Sequence, residues 1–407
     1  MSLVRWRPGH LIFLAPPLAV LASLIGLSDI PIRVPERYVL GLSAEALSAV
    51  FLVAPVSAAL AAWEGGRFRR ARWHTWPHAR PMFIVAVRAL SPVMAVALLA
   101  LGAALAVRFV RSDVVAFPDL LLLAKTAAIV VSHVLFGFAI GLNLPTTIAA
   151  PAVLIVDYAW MVLPVSLQPI WLRHLNGTWI SCCAVYVDVA PQAWAAAVLV
   201  AVAIALAGLA LMTFRSTVVR LSSVVAPLAV AGLIASALVS SLGPDPVQPR
   251  SSAALVCADS QPRVCVWPEH GDRLATVAPL IVRAVSAWHA AGFPTAAEYT
   301  EQRDVTAADA VPFGFAPRSR DVDVVAGLTG KFVPLIRCNP GGAPLHDPRD
   351  YARAWLLGVA SLDLRQAGYP ADVAAQVDAI RQQSMPLQRG WFDQRVNCQA
   401  AIGQDAP

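Results

Sequence analysis

The sequence predicts an all-α polytopic membrane bundle of about seven transmembrane helices, followed by a mostly helical α+β extracytoplasmic domain. Three observations lead there. Charged residues are only 14% of the 407, against about 25% in soluble domains. Long apolar runs follow one another through the first three fifths of the chain. Composition then changes sharply: residues 1–242 hold 16 Lys and Arg against 8 Asp and Glu, whereas residues 243–407 hold 15 against 17. A sparsely charged, basic part therefore precedes a tail of ordinary soluble composition.

A bilayer core asks for about 20 mostly apolar residues per helix. Seven segments qualify: 10–27, 40–63, 82–108, 119–141, 146–163, 192–213 and 223–242. The first does not read as a cleaved signal peptide, because Pro16 and Pro17 interrupt it and no small-x-small cleavage site follows. Orientation comes from Lys and Arg, which accumulate in cytoplasmic loops. With the N-terminus inside, the cytoplasmic pieces hold nine arginines and the opposite loops four. The expected division is a transmembrane domain at 1–242, a Pro/Ser/Gly-rich linker at 243–252 and an extracytoplasmic domain at 253–407.

The most basic stretch, "WEGGRFRRARWHTWPHARP" at 63–81, lies between the second and third spans. Its arginines mark the cytoplasmic side, and Trp63, Trp73 and Trp76 suit the headgroup zone. Nucleic acid is not an expected partner, since 19 residues between two spans form no folded binding module. A short loop of this kind can also touch a soluble partner with an acidic groove.

In the tail, "AALVCADSQPRVCVWPE" reads as two short strands around a turn at 259–262. Residues 273–292 have the apolar face of a helix that ends before Pro294. A second helix is expected over 348–369, capped by Asp347 or Asp350, and a third over 370–383 with Pro370 near its first turn. Cys257, Cys265, Cys338 and Cys398 are even in number on the expected oxidising face. Of the three pairings that four cysteines allow, Cys257–Cys265 across the hairpin and Cys338–Cys398 around a long loop are expected. Cys182 and Cys183 are neighbours and are expected to be unpaired or joined to something else.

Catalytic signatures do not emerge. "GLTGKF" at 327–332 departs from a phosphate-binding loop, with Val325 at its first glycine position and Phe332 where Ser or Thr is needed. No HExxH, GxSxG or CxxC occurs, so neither catalytic residues, nor a metal site, nor a cofactor of this chain's own is expected. Glu269, His270 and Asp272 in "WPEHGD" read as a helix start, with Asp272 favoured by the helix dipole. "NGT" at 176–178 reads as an accidental sequon. Glu45, Arg88, Lys125, His133 and Asp157 fall within the spans. Such groups face a bundle interior or a cavity. Counted from the expected span ends, Glu45, Lys125 and Asp157 fall at similar depth, so a Lys125–Asp157 pair joined by Glu45 is expected.

This arrangement resembles the permease subunit of an ABC-2-type bacterial transporter. The matching pieces are the basic N-terminal segment "VRWRPGH" (4–10), the loop at 63–81, and the large outer loop "PVSLQPIWLRHLNGTWISCCAVYVDVAP" (164–191). The chain departs from the six-span family pattern by adding a seventh span and an exported domain. "VCVWPEHGDRL" at 264–274 is similar to a segment of permease-like actinobacterial membrane proteins whose extracytoplasmic tail has no assigned role. The resemblance implies a bacterial plasma-membrane protein that moves a hydrophobic or amphiphilic substrate. It implies a second permease chain, identical or a sister. ATP would be bound by a separate cytoplasmic ABC ATPase subunit gripping Arg67, Arg69, Arg70, Arg72, Trp73 and Trp76. The competing expectation is a non-transporting anchor or sensor that displays a disulfide-bonded extracytoplasmic domain.

Overall fold

The computed structural model describes residues 15–27, 37–71, 82–179, 182–214, 216–303, 305, 309–315, 319–336, 338 and 347–399. The chain forms two units, Met1–Pro249 and Arg250–Pro407. In the first, the helices are α1 (Ala15–Leu27), α2 (Val39–Leu47), α3 (Val50–Arg70), α4 (Met82–Arg111), α5 (Leu120–Asn143), α6 (Thr146–Val162), α7 (Pro191–Thr213) and α8 (Thr217–Val239). Among the described residues, five helices are long and apolar enough to cross a membrane, or six if α2 and α3 together form one bent span. Seven were expected from the sequence. The first expected span is described only from residue 15, and α1 with 13 residues is too short to qualify.

The expected span at 40–63 is broken. Ser48 Oγ donates to the Glu45 carbonyl at 2.7 Å, a back-bond that competes with the helical ladder, and α2 meets α3 at a 40° bend. Elsewhere the ends follow local chemistry. Asp119 caps α5 by accepting from the Leu122 N–H at 2.8 Å, and Pro191 opens α7 where its missing N–H costs nothing.

Small residues govern the packing. Gly137 and Gly141 on α5 face Ala58 and Ala62 on α3 so closely that a Cβ on either glycine would overlap the Ala58 or Ala62 carbonyl oxygen. Between apolar helices, this backbone approach replaces the hydrophobic drive that lipid would not supply. Helix α3 lies against α5 and α6, α5 against α7, and α7 against α8. Two short strands, β1 (Val187–Val189) and β2 (Val247–Pro249), pair antiparallel. Part of the expected linker at 243–252 is therefore strand, because its extended residues find a partner in the large loop before α7.

The second unit has a four-stranded sheet in the order β3 (Val256–Ala258), β4 (Arg263–Val266), β5 (Glu298–Thr300) and β6 (Ala310–Pro312). The β3–β4 pair is the expected hairpin, with Cys257 directly opposite Cys265, and those two residues are disulfide-bonded. The other two pairings are parallel. Helix α9 (Gly271–Ala290) connects β4 to β5. Helices α10 (Asp321–Leu328), α11 (Pro348–Val359), α12 (Ala371–Arg381) and α13 (Met385–Val396) follow. The expected helix at 348–369 stops at residue 359, and its cap is Asp347, which accepts from the Arg349 N–H at 2.9 Å and the Cys338 N–H at 2.8 Å. Trp267, Trp288, Trp355 and Tyr299 are fully buried. Their polar tips are used where the core allows: Trp288 Nε1 donates to the Leu356 carbonyl at 2.8 Å and Trp355 Nε1 to Gln388 Oε1 at 2.9 Å. Cys338–Cys398 forms the second expected bridge.

Replacing Gly137 with Leu drives a side chain into the α3 backbone, and overpacking of this kind costs about 1–3 kcal/mol. The melting temperature of the detergent-solubilised protein should fall, whereas Gly102→Leu, which meets nothing within 4 Å, should leave it nearly unchanged. Equal effects would refute the close-approach account. In residues 250–407 produced alone, removing the Cys338–Cys398 bridge, which closes a separation of 60 residues, should cost about 4 kcal/mol in urea unfolding. Removing Cys257–Cys265, with a separation of 8, should cost about 2.5 kcal/mol by the same loop-entropy relation. The reverse order would count against that relation here.

Candidate functional site

Helices α5 and α6 are joined by the two-residue connection Leu144–Pro145, so they run antiparallel as neighbours. His133 and Asp157 are each twelve residues from Pro145, and at about 1.5 Å per residue they reach the same depth. His133 Nδ1 faces Asp157 Oδ1 in a hydrogen-bonded contact. The histidine is 5% exposed. Among the described residues, Asp157 Oδ2 is buried with no hydrogen-bond partner, and so is Trp160 Nε1 three residues further along α6.

These groups line a cleft of about 560 Å³. Phe136 and Ile140 enter from α5, Val153 and Val156 from α6, Val200 and Ile204 from α7, and Leu228 and Ala231 from α8. Ala58 on α3 closes one wall and Leu175 another. The volume suits a small-molecule ligand, and apolar walls with few polar groups are the usual composition of such sites.

The trio expected from sequence is dispersed. Asp157 pairs with His133, not Lys125. Lys125 lies some eight residues, about 12 Å along the helix, further from the turn. Depth counted from guessed span ends misplaced it; depth counted from the shared turn would have found the histidine. Lys125 is 4% exposed. Its Nζ donates to the Gly177 carbonyl at 2.7 Å and lies 3.7 Å above the Trp179 ring, a cation–π contact. Glu45 meets Arg108 of α4 at 2.6 Å. Arg88, on the same helix, is exposed.

Lys125 thereby fastens the large loop between α6 and α7. Gly177 holds φ +69°, and a Cβ there would come within 2.7 Å of Ile129 Cδ1, so only glycine suits the position. Asn176 is buried, and its amide donates to the carbonyls of Trp160 at 3.2 Å and Met161 at 2.9 Å. That explains the asparagine of "NGT" as a cap on the end of α6. Tyr38 Oη donates to the Val187 carbonyl at 2.9 Å and lies as near Asp188 Oδ1. Cys182 and Cys183, expected to be unpaired or joined to something else, lie side by side and are both buried in this loop.

Of the expected coupling residues, Arg67, Arg69 and Arg70 form the last turn of α3, where cations oppose the helix dipole. Arg67 spans both carboxylate oxygens of buried Glu64 at 3.0 Å, while Arg69 and Arg70 are exposed. Arg72, Trp73 and Trp76 lie outside the described residues. In the second unit, Asp272 lies in the first turn of α9, as expected. Glu269 pairs with Arg250 at 2.9 Å, and His270 Nδ1 lies 2.7 Å from Glu301, whose other oxygen accepts from the Trp267 N–H at 2.9 Å. No group of three or more His, Cys, Asp or Glu with metal-holding geometry is found among the described residues.

A family model described as a domain of unknown function (DUF7224) matches residues 264–400. That stretch begins in β4 and runs past α13, so it spans most of the second unit and none of the apolar helices. No curated protein and no solved structure matches the chain.

His174 in the loop supplies a pH test. It is fully buried, and its Nε2 lies 2.9 Å from the Gly243 carbonyl, while Nδ1 has no partner. Burial first, and then the adjacent Arg173, hold its pKa below the usual histidine value despite that carbonyl and Asp245. The folded loop thus prefers the neutral ring. Its contribution is complete above the unfolded value of about 6.5 and is lost as pH falls from there towards the lower folded value. Hydrogen exchange at 164–179, corrected for its intrinsic rate, should rise between pH 7 and pH 5, and His174→Asn should flatten the response. A pH-independent wild-type loop would refute this.

Proposed function

We propose that the first unit is the membrane-embedded permease of an ABC-type transporter, and that its cleft receives a hydrophobic or amphiphilic substrate. The observation that carries this reading is the apolar cleft with a buried His133–Asp157 pair on its wall. A titratable pair on apolar helices is costly to keep unless it serves a site or pathway. A purely structural lock would satisfy both carboxylate oxygens, and here Oδ2 is left over. Helices of this length and hydropathy support residence in a bacterial plasma membrane. Arginine placement supports a cytoplasmic N-terminus and α3 end. Disulfides in the second unit support its export.

In this mechanism, two permease chains form the pathway, and a separate cytoplasmic ATPase binds the basic end of α3. The force of nucleotide closure enters through Arg67, Arg69, Arg70 and the residues that follow. It passes along α3 to α5 and α6, which pack directly against it. Moving those two helices changes the width of the cleft. A second reading is favoured by a different observation. The family match stops within the second unit, as it would if that domain were the working part and the helices its anchor.

Replacing Arg67, Arg69, Arg70 and Arg72 with alanine should reduce co-purification of an ABC ATPase from the native membrane at least several-fold, with membrane insertion unchanged. Wild-type protein that brings down no ATPase would sink the permease reading and favour the anchor.

A further inference from the structure

The arrangement of the four cleft helices decides from which side a ligand arrives. Helix α6 folds back on α5, α5 packs on α7 and α7 on α8, but α6 and α8 are not a closely packed pair among the described residues. The helices therefore form an arc in the order α6, α5, α7, α8, with a gap between its two ends. Both ends line the cleft, α6 with Val153 and Val156, α8 with Leu228 and Gly232. They are also the two least covered of the five candidate spans.

The gap lies at mid-height. Leu228 is the middle residue of α8 (Thr217–Val239). Val156, which is 69% exposed, stands ten residues past the start of α6, about 15 Å along the helix. A bilayer's hydrocarbon core is about 30 Å thick, so an opening at this depth faces acyl chains and not water. Gly232, one turn beyond Leu228, has room beside it, since a Cβ there would meet nothing within 4 Å.

The wall has little to offer a polar group. Phe136, Ile140, Val200 and Ile204 are apolar, and Asp157 Oδ2 and Trp160 Nε1 are covered by the protein itself. A headgroup drawn inside would give up its hydration without a partner, at roughly 2–7 kcal/mol for each neutral polar group. A chain passing from lipid into the cleft gains no hydrophobic free energy, because it exchanges one hydrocarbon medium for another. What favours it is closer packing against the wall, where each pair of heavy atoms contributes about 0.1–0.2 kcal/mol. Such a site reads the shape of the chain and ignores the headgroup.

We infer that the cleft holds an alkyl chain of a membrane lipid, taken in sideways from the bilayer through the gap between α6 and α8, with the headgroup left outside. This deepens the reading of the cleft as a substrate site and rests on it, but does not depend on the ATPase.

The test uses full-length protein in lipid nanodiscs and photoactivatable lipids that share one diazirine-bearing alkyl chain and end in phosphocholine, phosphoglycerol or trimethylammonium. Labelled positions are mapped by mass spectrometry, and a short water-soluble diazirine alcohol reports access from water. Val153 and Val200 line the cleft yet are barely exposed, so their labelling marks a chain inside it. Leu98 and Leu99 of α4 are exposed and mark contact with bulk lipid. All three lipids should label Val153 and Val200 to the same extent, and the soluble probe should not label them. Gly232→Trp and, separately, Val156→Trp fill the gap from its two sides. Each should lower that labelling about ten-fold, the factor that ~1.4 kcal/mol represents, with Leu98 and Leu99 labelled as before. Labelling that follows the headgroup overturns a site for the chain alone, and labelling that neither tryptophan lowers overturns entry between α6 and α8. Labelling by the soluble probe overturns the chain site while leaving a water-filled cleft for another substrate. Labelling of neither valine by any probe overturns both the chain site and the substrate reading beneath it.

Discussion

The backbone contact between α3 and α5 fixes the rest of the first unit. With Gly137 and Gly141 set against the Ala58 and Ala62 carbonyls, α5 can neither rotate nor slide without a clash. The same helix carries Lys125, Ile129, His133, Gly137 and Gly141 at intervals of four. At 3.6 residues per turn, each such step advances about 40° around the axis. The row therefore winds, and its members face different neighbours: Lys125 the loop before α7, His133 helix α6, and the glycines α3. Because one helix holds all three contacts, the depth of the His133–Asp157 pair is set by the small-residue seam.

That dependence explains why the cleft stays open. Helix α6 leans on α3, whereas α8 leans on α7. Residues from all four helices α5 to α8 line the space between. Small residues let the helices pack closely, with Ala196, Ala197 and Ala235 among the residues almost wholly covered. On the inner side, Phe136, Trp160 and Leu228 hold the walls apart. Asn176 caps the end of α6 and Lys125 fastens the same loop to α5, so the loop fixes that end of the hairpin.

Much of this was legible in the sequence, and the failures have physical causes. Apolar length located five helices within a few residues, because burial or lipid contact on every side leaves an unmistakable run. The hairpin bridge was legible because Cys257 and Cys265 bracket a turn at directly opposed positions. Helix α13 was missed: "MPLQRGWFDQRV" has no apolar stripe, and part of its packing comes from Arg395, whose guanidinium stacks 3.7 Å from the Trp391 ring. Parallel strands β5 and β6 were missed because three residues each leave no period to read. Among the site residues, His133 and Asp157 were visible as unusual groups in apolar runs, but their pairing was not. It depends on where the turn falls, and Pro145 supplied that signal.

Buried charge is handled differently in the two units, and the contrast bears on what each can do. In the second unit, Glu301 is 2% exposed, and both of its oxygens are met, by His270 and the Trp267 N–H. Such a group rigidifies the start of α9 and has nothing left to offer a ligand. In the first unit, Glu64 is equally covered and equally satisfied by Arg67. Asp157 differs, with one oxygen met by His133 and the other buried without a hydrogen-bond partner among the described residues. Asp157 is also one of the wall residues of the cleft lined by α5 to α8. The low dielectric that makes an unmet carboxylate oxygen costly also strengthens the hydrogen bond between His133 and the same carboxylate.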